Sequence, residues 1–198
     1  NALASDGENY IALIAYHNIL ENWEEAELPT DYTEYVQVML SEPMIPGEAY
    51  RLSFHYRWAD DVKFAIDQLG MALTVGELTE GEISDPNPLD VDPQVVTPIG
   101  DVNNSAQWQF HLETIVAEEA YDHLTIGRFA DFTELTIEQM TTEILPATMR
   151  RAIYFIDEIK IEPVGLVGLE DTRQISLEIL PQGIRLGENG DLAIYDLS

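Results

Sequence analysis

The sequence predicts an all-β fold, an antiparallel β-sandwich, on three observations. First, Tyr50, Leu52, Phe54, Tyr56 and Trp58 alternate with Arg51, Ser53, His55 and Arg57. A strict two-residue period with large apolar groups on one side marks a half-buried strand. Burying those five groups contributes roughly 1.5–3 kcal/mol each before conformational entropy opposes it. This stretch is therefore expected at the centre of a sheet. Second, the main body holds six or seven apolar runs of strand length, that one included, separated by turns and long loops, with little helix, which favours a sandwich over an α/β fold. Third, 198 residues at 45% apolar content suffice for one core without metal or disulfide.

In chain order, residues 1–9 are small and polar and are expected to fray. Tyr10–Tyr16 reads as a strand. Asn18–Thr33, acidic and carrying Trp23 and Pro29, reads as a loop. Glu34–Leu40 is a strand with Val36, Val38 and Leu40 on one face and Tyr35, Gln37 and Met39 on the other. Glu42–Glu48, punctuated by proline and glycine, turns into the central strand, and the close join predicts antiparallel pairing of the two. Val62, Ala65, Ile66 and Leu69 have helical spacing, though Gly70 also allows an ordered loop. Met71–Val75 resumes as a strand.

The stretch 76–107 is long, acidic and interrupted by four prolines, so regular structure cannot persist through it. A connection of that length is usually functional or mobile. Trp108–Val116 alternates, with Trp108, Phe110, Leu112, Thr114 and Val116 expected inside and Gln109, His111 and Glu113 outside. Leu124–Phe129 is a further strand. Thr136–Leu145 looks helical, with capping-box spacing at Thr136 and Gln139 and a stop at Pro146. Ala152–Glu162 is a strand whose apolar register, Ile153, Phe155, Ile159 and Ile161, includes Asp157. Residues 163–168 read as a linker. Ile175–Leu180 alternates, and Asn189-Gly190 predicts a hairpin of 184–186 with 192–195. The boundaries are thus a sandwich over 1–163 and, over 164–198, a hairpin extension or the opening of a second β-domain.

The net charge of −28 sets 37 acids against nine basic residues, with Lys63 and Lys160 the only lysines. Such a field repels nucleic acid and anionic lipid, so neither is expected as a partner. It fits a high-salt habitat, where screening shrinks to about 3 Å at 1 M, or else the gathering of Ca²⁺. No cysteine is present, which excludes thiolate and disulfide chemistry. No apolar run reaches spanning length, so no membrane insertion is expected. The chain begins with Asn1, and we expect an internal piece or processed product whose targeting segment has been removed.

Arg51, His55 and Arg57 share one strand face. Arginine forks suit carboxylate or polyol oxygens, although pairing with neighbouring acids explains the same pattern. Trp58 and Trp108 are in phase with core faces, which leaves Trp23 as the tryptophan best suited to stack on a ligand. Asp157, in an apolar register, must be paired, hydrogen-bonded or metal-bound. Asp60, Asp61 and Asp67 suit turn capping. No EF-hand loop, HExxH, G-x-S-x-G elbow, P-loop or dinucleotide-binding glycine pattern occurs.

The run EYVQVMLSEPMIPGEAYRLSFHYRWADDVKFAIDQLGMALT resembles a pattern of bacterial cell-surface β-sandwich modules. That pattern has a YIQ-x-x-L strand, a Gly-x-x-Tyr turn, a W/L-A-D triplet and an AID-x-LG segment. HLTIGRF and AIYFIDEIKI are similar to its last core strands. The resemblance covers roughly 10–164 and implies a jelly roll, similar to galactose-binding-like and carbohydrate-binding folds. It lacks the family's opening strand and carries an apparent helix in the loop 129–151. The end NGDLAIYDLS resembles the start of a secretion or sorting domain.

The resemblance implies a non-catalytic extracellular binding or display module of a larger bacterial surface or secreted protein, with a glycan as ligand. The alternatives are a jelly-roll glycan hydrolase or lyase, and a structural adhesin spacer. The candidate ligand residues are Trp23, His55 and Arg57. No cofactor is required, and a structural Ca²⁺ at Asp157 is the one the resemblance allows.

Overall fold

The structure is a computed structural model. It describes residues 4–7, 9–17, 32–78, 88–146 and 149–165, and the backbone of 175–176, 178–180, 183–185 and 192–194. Trp23 and the Asn189-Gly190 turn lie outside the described residues.

The strands are β1 (Ile11–His17), β2 (Val36–Met39), β3 (Ala49–Trp58), β4 (Phe64–Ile66), β5 (Leu69–Thr74), β6 (Val95–Val96) and β7 (Gln109–Val116), then β8 (His123–Arg128), β9 (Ile137–Gln139), β10 (Arg151–Pro163), β11 (Ile175–Ser176), β12 (Glu178–Leu180), β13 (Gly183–Arg185) and β14 (Leu192–Ile194). No α-helix occurs among the described residues, and none of their segments is a helix long and apolar enough to cross a membrane.

Two five-stranded antiparallel sheets carry the fold. The first runs β1-β10-β3-β7, with β11 beside β10, and the second runs β14-β2-β8-β5-β6. Among the eight strands β1, β2, β3, β5, β6, β7, β8 and β10, successive members switch sheets except from β5 to β6, and the last pairs with the first. That is a jelly roll.

The alternation of β3 is realised. Tyr50, Leu52, Phe54, Tyr56 and Trp58 are all buried, in one core with Leu13, Tyr154 and Ile156 of the first sheet and Val36, Val38, Met71, Leu73, Leu124 and Ile126 of the second. The outer face of the second sheet is covered too: Tyr35, Ala72 and Phe129 pack there with Leu78 and Leu89 from the ends of the long acidic connection. Gln37 fastens that cover, its Oε1 accepting the Leu78 N–H at 2.9 Å.

Several expectations are corrected. β2 and β3 do not pair. They lie in opposite sheets, because a connector with Pro43, Pro46 and left-handed Gly47 (φ 87°) arches between layers about 10 Å apart. The helical spacing over 62–69 belongs to β4 and the start of β5. Every residue from Val62 to Asp67 is buried, so no periodicity distinguishes helix from strand. Thr136–Leu145 is not helical either: β9 pairs with β4, Ile137 against Ile66. The sequence 4–7 does not fray but hydrogen-bonds to β10. At the C-terminal end the described strands pair as β13 with β12 and β14 with β2, and the expected hairpin of 184–186 with 192–195 has its turn outside the described residues.

Two strands reverse the expected facing. In β7 it is His111, Glu113 and Ile115 that lie opposite Phe54, Leu52 and Tyr50, while Phe110, Leu112 and Val116 point outward and are exposed. In β10 the register shifts between Asp157 and Lys160. This bulge, with Glu158 at φ 47°, adds one residue and inverts the phase. Ile153, Phe155 and Asp157 therefore face outward, whereas Ile159 and Ile161 enter the core.

Candidate functional site

The reversals meet on the outer face of the first sheet. His55 and Arg57 project there from β3, and β10 sets Asp157 opposite His55 and Phe155 opposite Arg57. Three of the four residues nominated from sequence are thus neighbours; Trp23 is the fourth. β7 sets Phe110 opposite His55, the rings 4.9 Å apart. Just before β7, Trp108 meets Tyr10 edge-on at 6.4 Å, and Tyr10 meets Phe155 at 4.8 Å. Rings from both ends of the strand order thereby form one strip across the sheet. The Arg57 guanidinium carbon lies 5.4 Å from the centre of the Phe155 ring, a cation–π arrangement. Arg57 Nε is buried and has no hydrogen-bond partner among the described residues.

Charge on this face is organised by the bulge. Glu158 Oε2 lies 3.1 Å from His55 Nδ1 and accepts the Ser5 hydroxyl at 2.9 Å, while Oε1 accepts from Lys160 Nζ at 3.2 Å. Burial pushes the Glu158 carboxyl up, but the Ser5 and Lys160 hydrogen bonds and the attraction of His55 and Lys160 outweigh it and hold the group below its ordinary range. Asp157 Oδ2 accepts the N–H groups of Ser5 and Asp6, and Oδ1 accepts that of Glu158. The first two of these hydrogen bonds tie the sequence 4–7 to the bulge of β10, and the third lies within the bulge. No three His, Asp or Glu side chains converge into a metal cluster among the described residues.

The other nominated residues have structural surroundings. Asp67 is fully buried and ties two loops, accepting the N–H of Gly100 at 2.6 Å and of Thr136 at 2.9 Å. Arg51 is exposed opposite Glu162. Trp58 is a core residue, its Nε1–H donating to the Phe64 carbonyl at 2.7 Å. A concavity of about 230 Å³ lies beside β5 and β6, lined in part by Gln68, Asp90, Asp92, Phe129 and Glu134.

The sequence reading missed Tyr10, Phe155, Glu158 and the outward facing of Trp108 and Phe110. The one available signal was AIYFIDEIKIE, where apolar residues occupy both parities before Asp157 and one parity after it. That change is the signature of a bulge.

No known protein family matches the chain by sequence, and no curated protein does. Two similar solved structures are carbohydrate-binding modules. One is described as CBM4, at 12% identity over 82% of this chain and 92% of its own, with a TM-score of 0.34. The other is the CBM22-1 xylan-binding domain of Paenibacillus barcinonensis Xyn10C, at 14% identity over 84% of this chain and 100% of its own, with a TM-score of 0.31.

Proposed function

We propose that the chain is a non-catalytic glycan-binding module of a larger extracellular or cell-surface protein, and that its ligand lies on the outer face of the first sheet. One observation carries this reading: Tyr10, Phe155, Trp108 and Phe110 border Arg57 and His55 on a single open face. Sugar rings offer apolar C–H faces to aromatic side chains and hydroxyls to a guanidinium, so such a strip suits an extended polyol. Glu158 beside it is unsuited to the role of a general acid. Glu158 is held ionised by Ser5, Lys160 and His55, whereas a general acid must carry a proton at working pH. The module needs no cofactor for this role. Residues 164–198 are taken as an extension of the sandwich.

A glycan array probed with and without Ca²⁺ tests the proposal, followed by titration of any hit with Trp108→Ala and Arg57→Ala. Each substitution is expected to weaken binding by tenfold or more while the fold is retained by circular dichroism. A silent array in both conditions would return the chain to the spacer reading. A ligand that ignores both substitutions would move the site elsewhere.

A further inference from the structure

β7 is the edge of the first sheet, pairing with β3 and with no other strand among the described residues. Exposed edge strands are usually short, bulged, proline-bearing or charged. This one runs eight residues in unbroken register and carries Glu113 as its only acid in a chain of net charge −28. Its outward side chains Phe110, Leu112 and Val116 are 57%, 43% and 59% exposed.

The hydrogen-bond phase of β7 is set by its far end. Ala117 N–H donates to the Glu48 carbonyl at 2.9 Å. Odd-numbered residues of β7 therefore exchange bonds with β3, and Phe110, Leu112, Thr114 and Val116 turn their N–H and C=O groups to the open edge.

The geometry points to a symmetric homodimer in which β7 pairs antiparallel with β7 of a second copy about a two-fold axis at Leu112. Even residues must meet even residues, which leaves few registers. Centring on Glu113 sets Glu113 against itself, like charges directly opposed. Centring on His111 sets that residue against itself. Centring on Leu112 sets Leu112 against Leu112 and Phe110 against Thr114, and places His111 opposite Glu113 twice. His111 Nε2 and Glu113 Oε1 already lie 3.0 Å apart within one strand, so this register joins two complementary pairs. The axis stands perpendicular to the sheet and leaves both outer faces on one side. The dimer rests on edge geometry and not on ligand binding.

Two copies of a highly acidic chain repel each other, so association is expected to strengthen with salt as the screening length falls from about 10 Å at 0.1 M to about 3 Å at 1 M. Sedimentation velocity of the ligand-free chain across that KCl range is the test, with a dimer growing in as salt rises. Thr114→Pro removes an N–H directed at the open edge while sparing the β3 ladder. Two donors are lost per dimer, and the dimer Kd is expected to rise by about tenfold or more with the monomer's far-UV spectrum unchanged. Glu113→Lys is expected to weaken association, and His111→Glu added to it to restore it. The chain has no cysteine, so a nitroxide on Leu112→Cys reports the axis by strong spin–spin broadening. A wild-type chain that stays monomeric throughout, a dimer indifferent to Thr114→Pro, or an unbroadened label would each overturn the proposal.

Discussion

Tyr154 shows how a single side chain can fasten β10 to β4 and to the loop at Asn103. Its hydroxyl, fully buried, accepts the Ile66 N–H at 2.8 Å and lies 2.9 Å from the carbonyls of Ile66 and Asn103. Burial pushes the phenol well above its ordinary range. Tyr154→Phe keeps the ring but strands a buried N–H, which costs about 1–3 kcal/mol; urea unfolding should show it as a lower midpoint at unchanged slope. An unaltered midpoint would mean that water replaces the hydroxyl. Glu158 makes a pH-dependent contribution. Its folded pKa is lowered from the ordinary 4.5, so its stabilisation is complete above that value and is lost as pH falls through the folded one. Glu158→Gln should therefore flatten the acid limb of the stability curve below about pH 4.5. Equal acid limbs in the two proteins would refute the linkage.

At the scale of the element, β3 was legible because its two faces differ in kind, large and apolar inside and Arg, Ser or His outside. β7 was not, because Phe110, Leu112 and Val116 are as apolar as any core set, and facing is decided by whether another layer covers a strand. β10 was half legible: its length and type follow from composition, but the inversion at Glu158 depends on a backbone shift that leaves every residue type in place. β4 is ambiguous between helix, loop and strand because burial on all sides erases period, whereas β9, largely exposed, resembles helix because Ile137, Met140 and Ile144 fall at helical spacing. Close approach is likewise a tertiary matter. A Cβ on Gly127 of β8 would overlap the buried Tyr35 ring, whose hydroxyl is bound to the Arg128 carbonyl at 2.5 Å and to Leu89 N–H at 3.1 Å. The ring has no room to yield, so Gly127→Ala should cost about 1–3 kcal/mol, visible as a lower thermal midpoint. A midpoint within error of wild type would show that β2 shifts instead.

Over the whole molecule the dominant quantity is charge. At −28, self-repulsion opposes the compact state, and screening relieves it. The unfolding midpoint should climb as KCl rises from 0.1 to about 2 M, while a flat curve would show that the acids are too well spaced to matter. The protein's all-β class, its central strand and the placement of His55 and Arg57 on one wet face were determined by the sequence alone. Alternating side-chain type is a local property, and it dictates which face of an isolated strand seeks cover. Which strands neighbour β3, which way β7 and β10 turn, and hence the gathering of Tyr10, Trp108 and Phe155 around Arg57 were decided by tertiary structure. These depend on what lies above each face and on one inserted residue in a ladder, and side-chain type along the chain encodes neither.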